Sequence, residues 1–267
     1  AIIAVHHAGW PCDMDGLMGL AERQDLVVIE DCAQAHGASY KGRPVGGRGD
    51  IAAFSYCQDK IITTGGEGGM LVTNDEQIWR RAWPIKDHGK DYDAVFNREH
   101  PPGFRWLHES FGTNMRMTEM QAAIGRLQLG KLPDWHKLRK QNAIRIADAL
   151  LEFPGVRVPM PGEGIEHAYY RLYAFVKPDH LAEGWDRDRI MNEINARGIP
   201  CFSGSCPEIY NEKAFERAGL RPETPLPNAA SLGETSLAFL VHPTLTEDDL
   251  RATRQAIGSV FAAGTVK

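Results

Sequence analysis

Apolar residues in this chain gather in short runs that polar residues and glycines cut off. Three runs lie close together. Leu26–Ile29 is stopped by Glu30 and Asp31. Ile51–Tyr56 ends just before Lys60. Met70–Thr73 follows a loop holding Gly65, Gly66, Gly68 and Gly69. Runs of this length, closed in this way, predict buried strands of an α/β sheet. Ala1–Val5 predicts a further strand ahead of them. Between the first two, Asp15–Arg23 carries Leu17, Leu20 and Ala21 at helical spacing. The result is a βαβ unit, with parallel strands and a right-handed crossover.

Further on, Asp75–Ala82 predicts a helix with Asp75 at its start. Asp91–His108 is aromatic and charged without clean periodicity, so it predicts a long loop. Its Phe104, Trp106 and His108 would border a substrate site or pack at a subunit contact. Thr118–Leu132 predicts a helix opened by a Thr118/Gln121 capping box. Pro133 breaks it or starts the next, Asp134–Leu151.

Phe153–Gly164 has a linker composition, with Pro154, Pro159, Pro161 and three glycines. It divides the chain into residues 1–152, part of a larger α/β domain with a mostly parallel sheet, and residues 153–267, a smaller α+β domain. The second domain reads as strands at Val156–Val158, Tyr169–Val176, Ile199–Phe202 and Leu237–Val241. Helices are predicted at Asp186–Arg197 and from a Thr246/Asp249 capping box through Phe261.

Composition adds boundaries. The 267 residues are 43% hydrophobic and 24% charged, and 30 basic against 35 acidic side chains give −5. That balance gives no support to nucleic-acid or anionic-membrane binding. No apolar stretch approaches the roughly 20 residues that cross a bilayer. Cys12, Cys32, Cys57, Cys201 and Cys206 are odd in number and hold no Cys-x-x-Cys, which points to a reduced, cytoplasmic setting. Cys32 and Cys57 read as small core residues.

Candidate chemistry sits at the strand ends. In open α/β sheets ligands bind at the carboxyl ends of strands, and Asp31 and Lys60 each follow a predicted strand. A lysine amine condenses with aldehydes. The commonest cofactor using this is pyridoxal phosphate (PLP), whose ring is an electron sink that an acid at the pyridine nitrogen strengthens. Ser55, five residues before Lys60, could offer a hydroxyl to the phosphate. His6 and His7 suggest a metal, but adjacent residues on an extended chain point opposite ways, so no metal site is assigned. The Gly-rich stretch Gly42–Gly49 precedes a strand rather than a helix, which disfavours a dinucleotide fingerprint. Gly65–Gly69 also precedes a strand and reads as a close-approach loop beside the lysine.

Four motifs in order resemble the PLP-dependent sugar aminotransferases of the DegT–DnrJ–StrS group. They are EDCAQAHGA at Glu30–Ala38, YKGRPVGGRGDIAAFSY at Tyr40–Tyr56, KIITTGGEGGMLVT at Lys60–Thr73 and FGTNMRMTEMQAAIG at Phe111–Gly125. The likeness continues through NARGIPCF and VHPTLTEDDL. The resemblance implies the aspartate aminotransferase fold (fold-type I) and transamination of a keto-sugar, nucleotide-linked, or a keto-cyclitol, with glutamate or glutamine as donor. It implies that Asp31 pairs with the pyridine nitrogen and that Gln34 lies near the phenolic oxygen. Ser55 would bind the phosphate, and Lys60 would hold PLP and shuttle the proton. Asn114 would reach the phosphate of a partner subunit in a homodimer. A sugar dehydratase of the same group would have histidine where Lys60 stands. In the group a phosphate loop and a stacking aromatic precede the first strand seen here, and this chain opens at Ala1 directly in an apolar run. It therefore reads as lacking an N-terminal part, which leaves a truncated, non-catalytic subunit as an alternative.

Overall fold

The first crossover forms where the hydrophobic pattern predicts it. In this computed structural model, which describes residues 1–266, β1 (Ile2–Val5) leads through a 3-10 turn to α1 (Met14–Gln24). The chain then returns as β2 (Val28–Asp31), paired parallel to β1. Asp13 caps α1 by accepting the Gly16 N–H. Met14 and Ala21 of the helix pack on Ala4 and Val28 of the strands.

β2 lies two residues later than its apolar run. Leu26 and Val27 stay exposed, and Glu30 and Asp31 fall inside the strand rather than after it. A glutamate can occupy a buried strand position only when its carboxylate finds donors, and Glu30 finds four, described below.

A small hairpin follows, β3 (Ser39–Tyr40) and β4 (Arg43–Pro44). β5 (Ile51–Ser55) then pairs parallel to β2, and β6 (Gly69–Val72) runs antiparallel on its far side. The sheet order is β1-β2-β5-β6, mostly parallel with one antiparallel edge.

α2 (Glu76–Lys86) is capped by Asp75, which accepts from Gln77 and Ile78 N–H. The stretch predicted as a long loop contains a helix, α3 (Tyr92–Phe96), capped by Asp91. The aromatic residues of α3 pack on α2. Tyr92 meets Trp79 and Trp83 of α2 at centroid distances of 5.0 and 5.3 Å, and Phe96 meets Trp83 at 6.1 Å.

α4 (Glu119–Leu151) is one helix of 33 residues, where the sequence predicts two. Pro133 lies inside it. Proline removes one backbone hydrogen bond from a helix interior, and tertiary contacts on both sides of the proline keep the helix going. Gln121 and Gln128 hold loops before it, and Ala143, Ile146, Ala147 and Leu150 enter a core after it.

The remaining elements are β7 (Val156–Arg157), β8 (Ile165–Glu166), β9 (Leu172–Val176), α5 (Arg187–Asn195), β10 (Cys201–Phe202), α6 (Lys213–Arg217), α7 (Pro227–Thr235), β11 (Ser236–Phe239) and α8 (Glu247–Gly264). β10-β11-β9-β7 form an antiparallel sheet. Leu172, Ala174 and Val176 alternate into its core with Phe239, Ile257 and Phe261. Thr246 and Asp249 form the predicted capping box of α8.

Two compact units result. One holds residues 1–134 and 162–168; the other holds 135–161 and Tyr169 onwards. The division thus falls inside α4, earlier than the linker at 153, because the second half of that helix belongs to the second unit's core. Part of the predicted linker also returns to the first unit, where β8 pairs with β3.

Candidate active site

The parallel strands set the candidate residues side by side. Val5 is in register with Asp31, and Asp31 with Ala53. Residues in register share a face, and so do residues two apart along a strand. Asp31 and Ser55 therefore occupy one face near the carboxyl ends of β2 and β5. Glu30 and Ala52, one residue back, point to the opposite, buried face.

Each candidate side chain is fixed by its own backbone surroundings. Asp31 Oδ1 accepts the Ala33 N–H at 3.0 Å, and Oδ2 has no hydrogen-bond partner among the described residues. Gln34 Oε1 accepts the Ala8 N–H at 2.6 Å. Ser55 Oγ accepts the Cys57 N–H at 3.3 Å. A turn closed by Lys60 N–H on Cys57 C=O at 3.0 Å carries the chain to Lys60. The Lys60 side chain is only 16% exposed, with Nζ 3.5 Å from Asp59 Oδ1.

The loop after Lys60 is latched to the start of α4. Gln121 Nε2 donates to Glu67 C=O at 2.7 Å, and Gln128 Oε1 accepts the Thr63 N–H at 2.9 Å. Gly65 takes a φ of +79°, in the left-handed region that favours glycine. Cys57 is half-buried rather than in the core. Its thiol donates to Glu67 at 3.2 Å, and that hydrogen bond raises its pKa above the ordinary thiol value.

Asn114 belongs to a different cluster. Its Oδ1 accepts from Arg116 N–H at 3.3 Å and Nε at 3.2 Å, and its backbone bridges to Asp87. Burial works against charging Asp87. Lys90 at 3.4 Å, Arg116 at 3.5 Å and Lys86 at 3.8 Å outweigh it and hold the carboxyl below its usual range.

The sequence weighs His6 only as a metal ligand and Glu30 only as the end of a strand; the structure joins the two. His6 is buried while His7 is exposed, as adjacent strand-end residues should be. His6, Glu30 and Cys32 bring ligand-type atoms within 4.8 Å of one another. They do not form an open metal site. Both Glu30 oxygens are filled by N–H donors, and His6 Nδ1 faces the Cys12 N–H at 3.0 Å. The available signal was a charged residue two positions after Val28, on the buried side of the alternation.

A family model for the DegT/DnrJ/EryC1/StrS aminotransferase family matches residues 1–257. The chain belongs to that family. Among its members, this chain is 32% identical over 245 residues to a dTDP-3-amino-3,4,6-trideoxy-alpha-D-glucose transaminase of Streptomyces venezuelae, covering 92% of this chain and 59% of the relative. It is 34% identical over 225 residues to an L-glutamine:2-deoxy-scyllo-inosose aminotransferase of Streptoalloteichus tenebrarius, covering 83% and 52%. The crystal structure of an aminotransferase from Psychrobacter cryohalolentis superposes with a TM-score of 0.94 at 60% identity, covering 98% of this chain and 68% of that one. The chain thus spans little more than half the length of these two curated aminotransferases. Among the described residues no helix is long and apolar enough to cross a membrane.

Proposed function

We propose that the chain carries the cofactor-binding half of a PLP-dependent aminotransferase acting on a keto-sugar, nucleotide-linked, or a keto-cyclitol. The observation that carries this is the shared face of Asp31 and Ser55 at neighbouring strand ends, with the largely covered amine of Lys60 one turn beyond. Family membership supports the reaction class. The names of the two relatives support the substrate classes: one names a dTDP-linked amino sugar, the aminated form of a keto-sugar, and the other names L-glutamine with 2-deoxy-scyllo-inosose.

The donor set suits PLP. Asp31 keeps one carboxylate oxygen without a partner, available to a protonated pyridine nitrogen. Gln34 has its oxygen turned to the Ala8 N–H, so its amide hydrogens point the other way and would be available to a phenolic oxygen of the cofactor. Ser55 Oγ still has a proton to donate to a phosphate. Bound PLP would supply an electrophilic carbon and a ring that accepts the electrons of a broken Cα–H bond.

The remaining work falls to this chain's side chains. Asp31 would hold a proton at the ring nitrogen. Lys60 Nζ would take the proton from the donor's Cα and return it two atoms along, on the far side of the transferred nitrogen, the task of a positioned amine. In the second half-reaction the same steps run in reverse on the sugar's carbonyl carbon. The donor leaves as a keto acid and the sugar leaves as an amine, so no outside oxidant is needed.

A homodimer belongs to the same proposal. Phe104, Trp106 and Phe111 are strongly exposed in the stretch leading to Asn114, which supports packing of this stretch on a second copy. Five free thiols support a reducing, cytoplasmic setting. The test is a half-reaction. PLP-loaded protein given glutamate or glutamine alone should release one keto acid per site and then stop. A nucleotide-linked keto-sugar or a keto-cyclitol should restart it. Absence of keto acid from PLP-loaded protein would overturn the reading.

A further inference from the structure

Glu30 is fully buried, one residue before Asp31 and on the opposite face of the sheet. Its carboxylate is saturated. Oε2 accepts from His6 Nε2 at 3.0 Å and from Gly46 N–H at 2.8 Å. Oε1 accepts from Arg48 N–H at 2.8 Å and Gly49 N–H at 2.6 Å. Three of the four donors come from one loop, Gly46–Gly49, which lies between β4 and β5.

That loop has the residues such an approach requires. A Cβ on Gly49 would meet Val28 O at 2.8 Å and Glu30 Cγ at 3.3 Å. Gly46 has a φ of +88°, and a Cβ there would meet the Phe54 ring at 2.7 Å. At Gly49 a side chain is excluded by Val28 and the Glu30 side chain, and at Gly46 by the left-handed φ and the Phe54 ring.

His6 straps the same two residues from the other side. Its ring nitrogen reaches Glu30, while its backbone N–H donates to Asp31 C=O at 3.1 Å. His6 Nδ1 accepts the Cys12 N–H at 3.0 Å, which turns Nε2 and its proton toward Glu30. The Glu30 carboxylate is thus dispersed over four hydrogen bonds, one peptide unit from Asp31.

We propose that Glu30 is a positioning residue for Asp31, a role that rests on the PLP reading above. It clamps the Gly46–Gly49 loop and the end of β1 against β2, and this fixes where Asp31 ends. Its charge adds to the negative potential that keeps a proton on a cofactor ring nitrogen held by Asp31. Glu30 touches neither cofactor nor substrate and acts through its neighbour.

The experiment compares the wild-type protein with Glu30→Gln. Glutamine keeps the shape but sets an N–H₂ against backbone N–H donors and removes the charge. Two readouts are taken on each: PLP affinity, and the nitrogen-15 resonance of ring-labelled PLP. For the variant we expect affinity to fall about tenfold, within the usual range of coupling between sites. We expect its ring-nitrogen resonance to move toward the unprotonated position, a change that looser packing alone would not produce. Equal affinity and an unmoved resonance would overturn the proposal. A second measurement uses wild-type protein alone, in case the variant does not fold. Coupling is reciprocal, so PLP should slow hydrogen exchange at the Gly46, Arg48 and Gly49 amides. Unchanged exchange at these amides on PLP binding would also overturn it. Failure of wild-type protein to bind PLP at all would instead sink the functional reading, and the proposal with it.

Discussion

The amide oxygen of Gln34 and the backbone N–H of Ala8 are 2.6 Å apart, and this contact orients the whole Gln34 side chain. A backbone N–H can only donate, so the oxygen must face Ala8 and the NH₂ must face away. Ala8 itself sits at φ +56°, a left-handed conformation unusual for alanine. Gln34 thus serves two ends, holding a strained turn with its oxygen and offering a donor with its nitrogen.

These two roles separate by mutation. Gln34→Glu keeps the acceptor for Ala8 and removes the donor. It should fold with nearly unchanged stability while PLP binds more weakly. Gln34→Ala removes both and should also lower stability by about 1 kcal/mol or more, since a part-buried N–H loses its partner. Urea titrations and PLP titrations on both variants check this. Equal effects of the two variants on stability would contradict it.

Glu30 makes folding depend on acid. Burial alone would raise its pKa, but the bonds from His6 and from the Gly49, Gly46 and Arg48 amides outweigh burial and hold it at about 2, against 4.5 ordinarily. A pKa lowered on folding adds stability that is complete above the unfolded value and is lost as pH falls toward the folded one. The shift corresponds to about 3 kcal/mol. Wild-type protein should therefore exceed Glu30→Gln in stability at pH 7, and the gap should close between about pH 4.5 and pH 2. Denaturant unfolding of both across that window measures it. A constant gap would contradict the assignment.

Most of the first unit was legible in its sequence because its strands are short apolar runs with sharp ends. The runs Ile51–Tyr56 and Met70–Thr73 lie within one residue, at each end, of the observed strands Ile51–Ser55 and Gly69–Val72. β2 was displaced because Glu30 and Asp31 read as a stop, whereas hydrogen bonds to Glu30 carry the strand through them. Pro133 read as a break for the same local reason. What overrode it, a core filled by Ala143 and Leu150, lies in tertiary structure. β8 was invisible as well. Ile165 and Glu166 form a strand only because Ser39 and Tyr40, far away in sequence, pair with them. Among the site residues, Gln34 and Asn114 came from family resemblance alone; nothing in their local pattern distinguishes them.

The latch on the lysine loop predicts a local effect. Gln128→Ala removes the acceptor for the Thr63 N–H. Hydrogen exchange at residues 63–69 should speed up by several-fold, with global stability lowered by about 1 kcal/mol. Exchange elsewhere in the first unit should hardly change. Uniformly faster exchange would mean that Gln128 supports the whole unit and not this loop.

Arg139 makes a stability prediction for the second unit. It is 4% exposed, and its Nη1 donates to Tyr169 C=O at 3.1 Å, at a residue whose φ is +51°. Burial lowers its pKa to about 10. Arg139→Ala would remove that hydrogen bond and open a cavity, costing about 2–4 kcal/mol. Thermal unfolding checks this, and an unchanged melting temperature would contradict it.

The central claim is that Lys60 is the cofactor lysine, and covalent mapping tests it most directly. The protein is loaded with PLP, reduced with borohydride to fix the cofactor to the amine that holds it, digested, and analysed by mass spectrometry. The account predicts a single modified peptide, with the pyridoxyl group on Lys60, and its loss in Lys60→Ala. Stoichiometric label at a different lysine, or full labelling of Lys60→Ala, would contradict it.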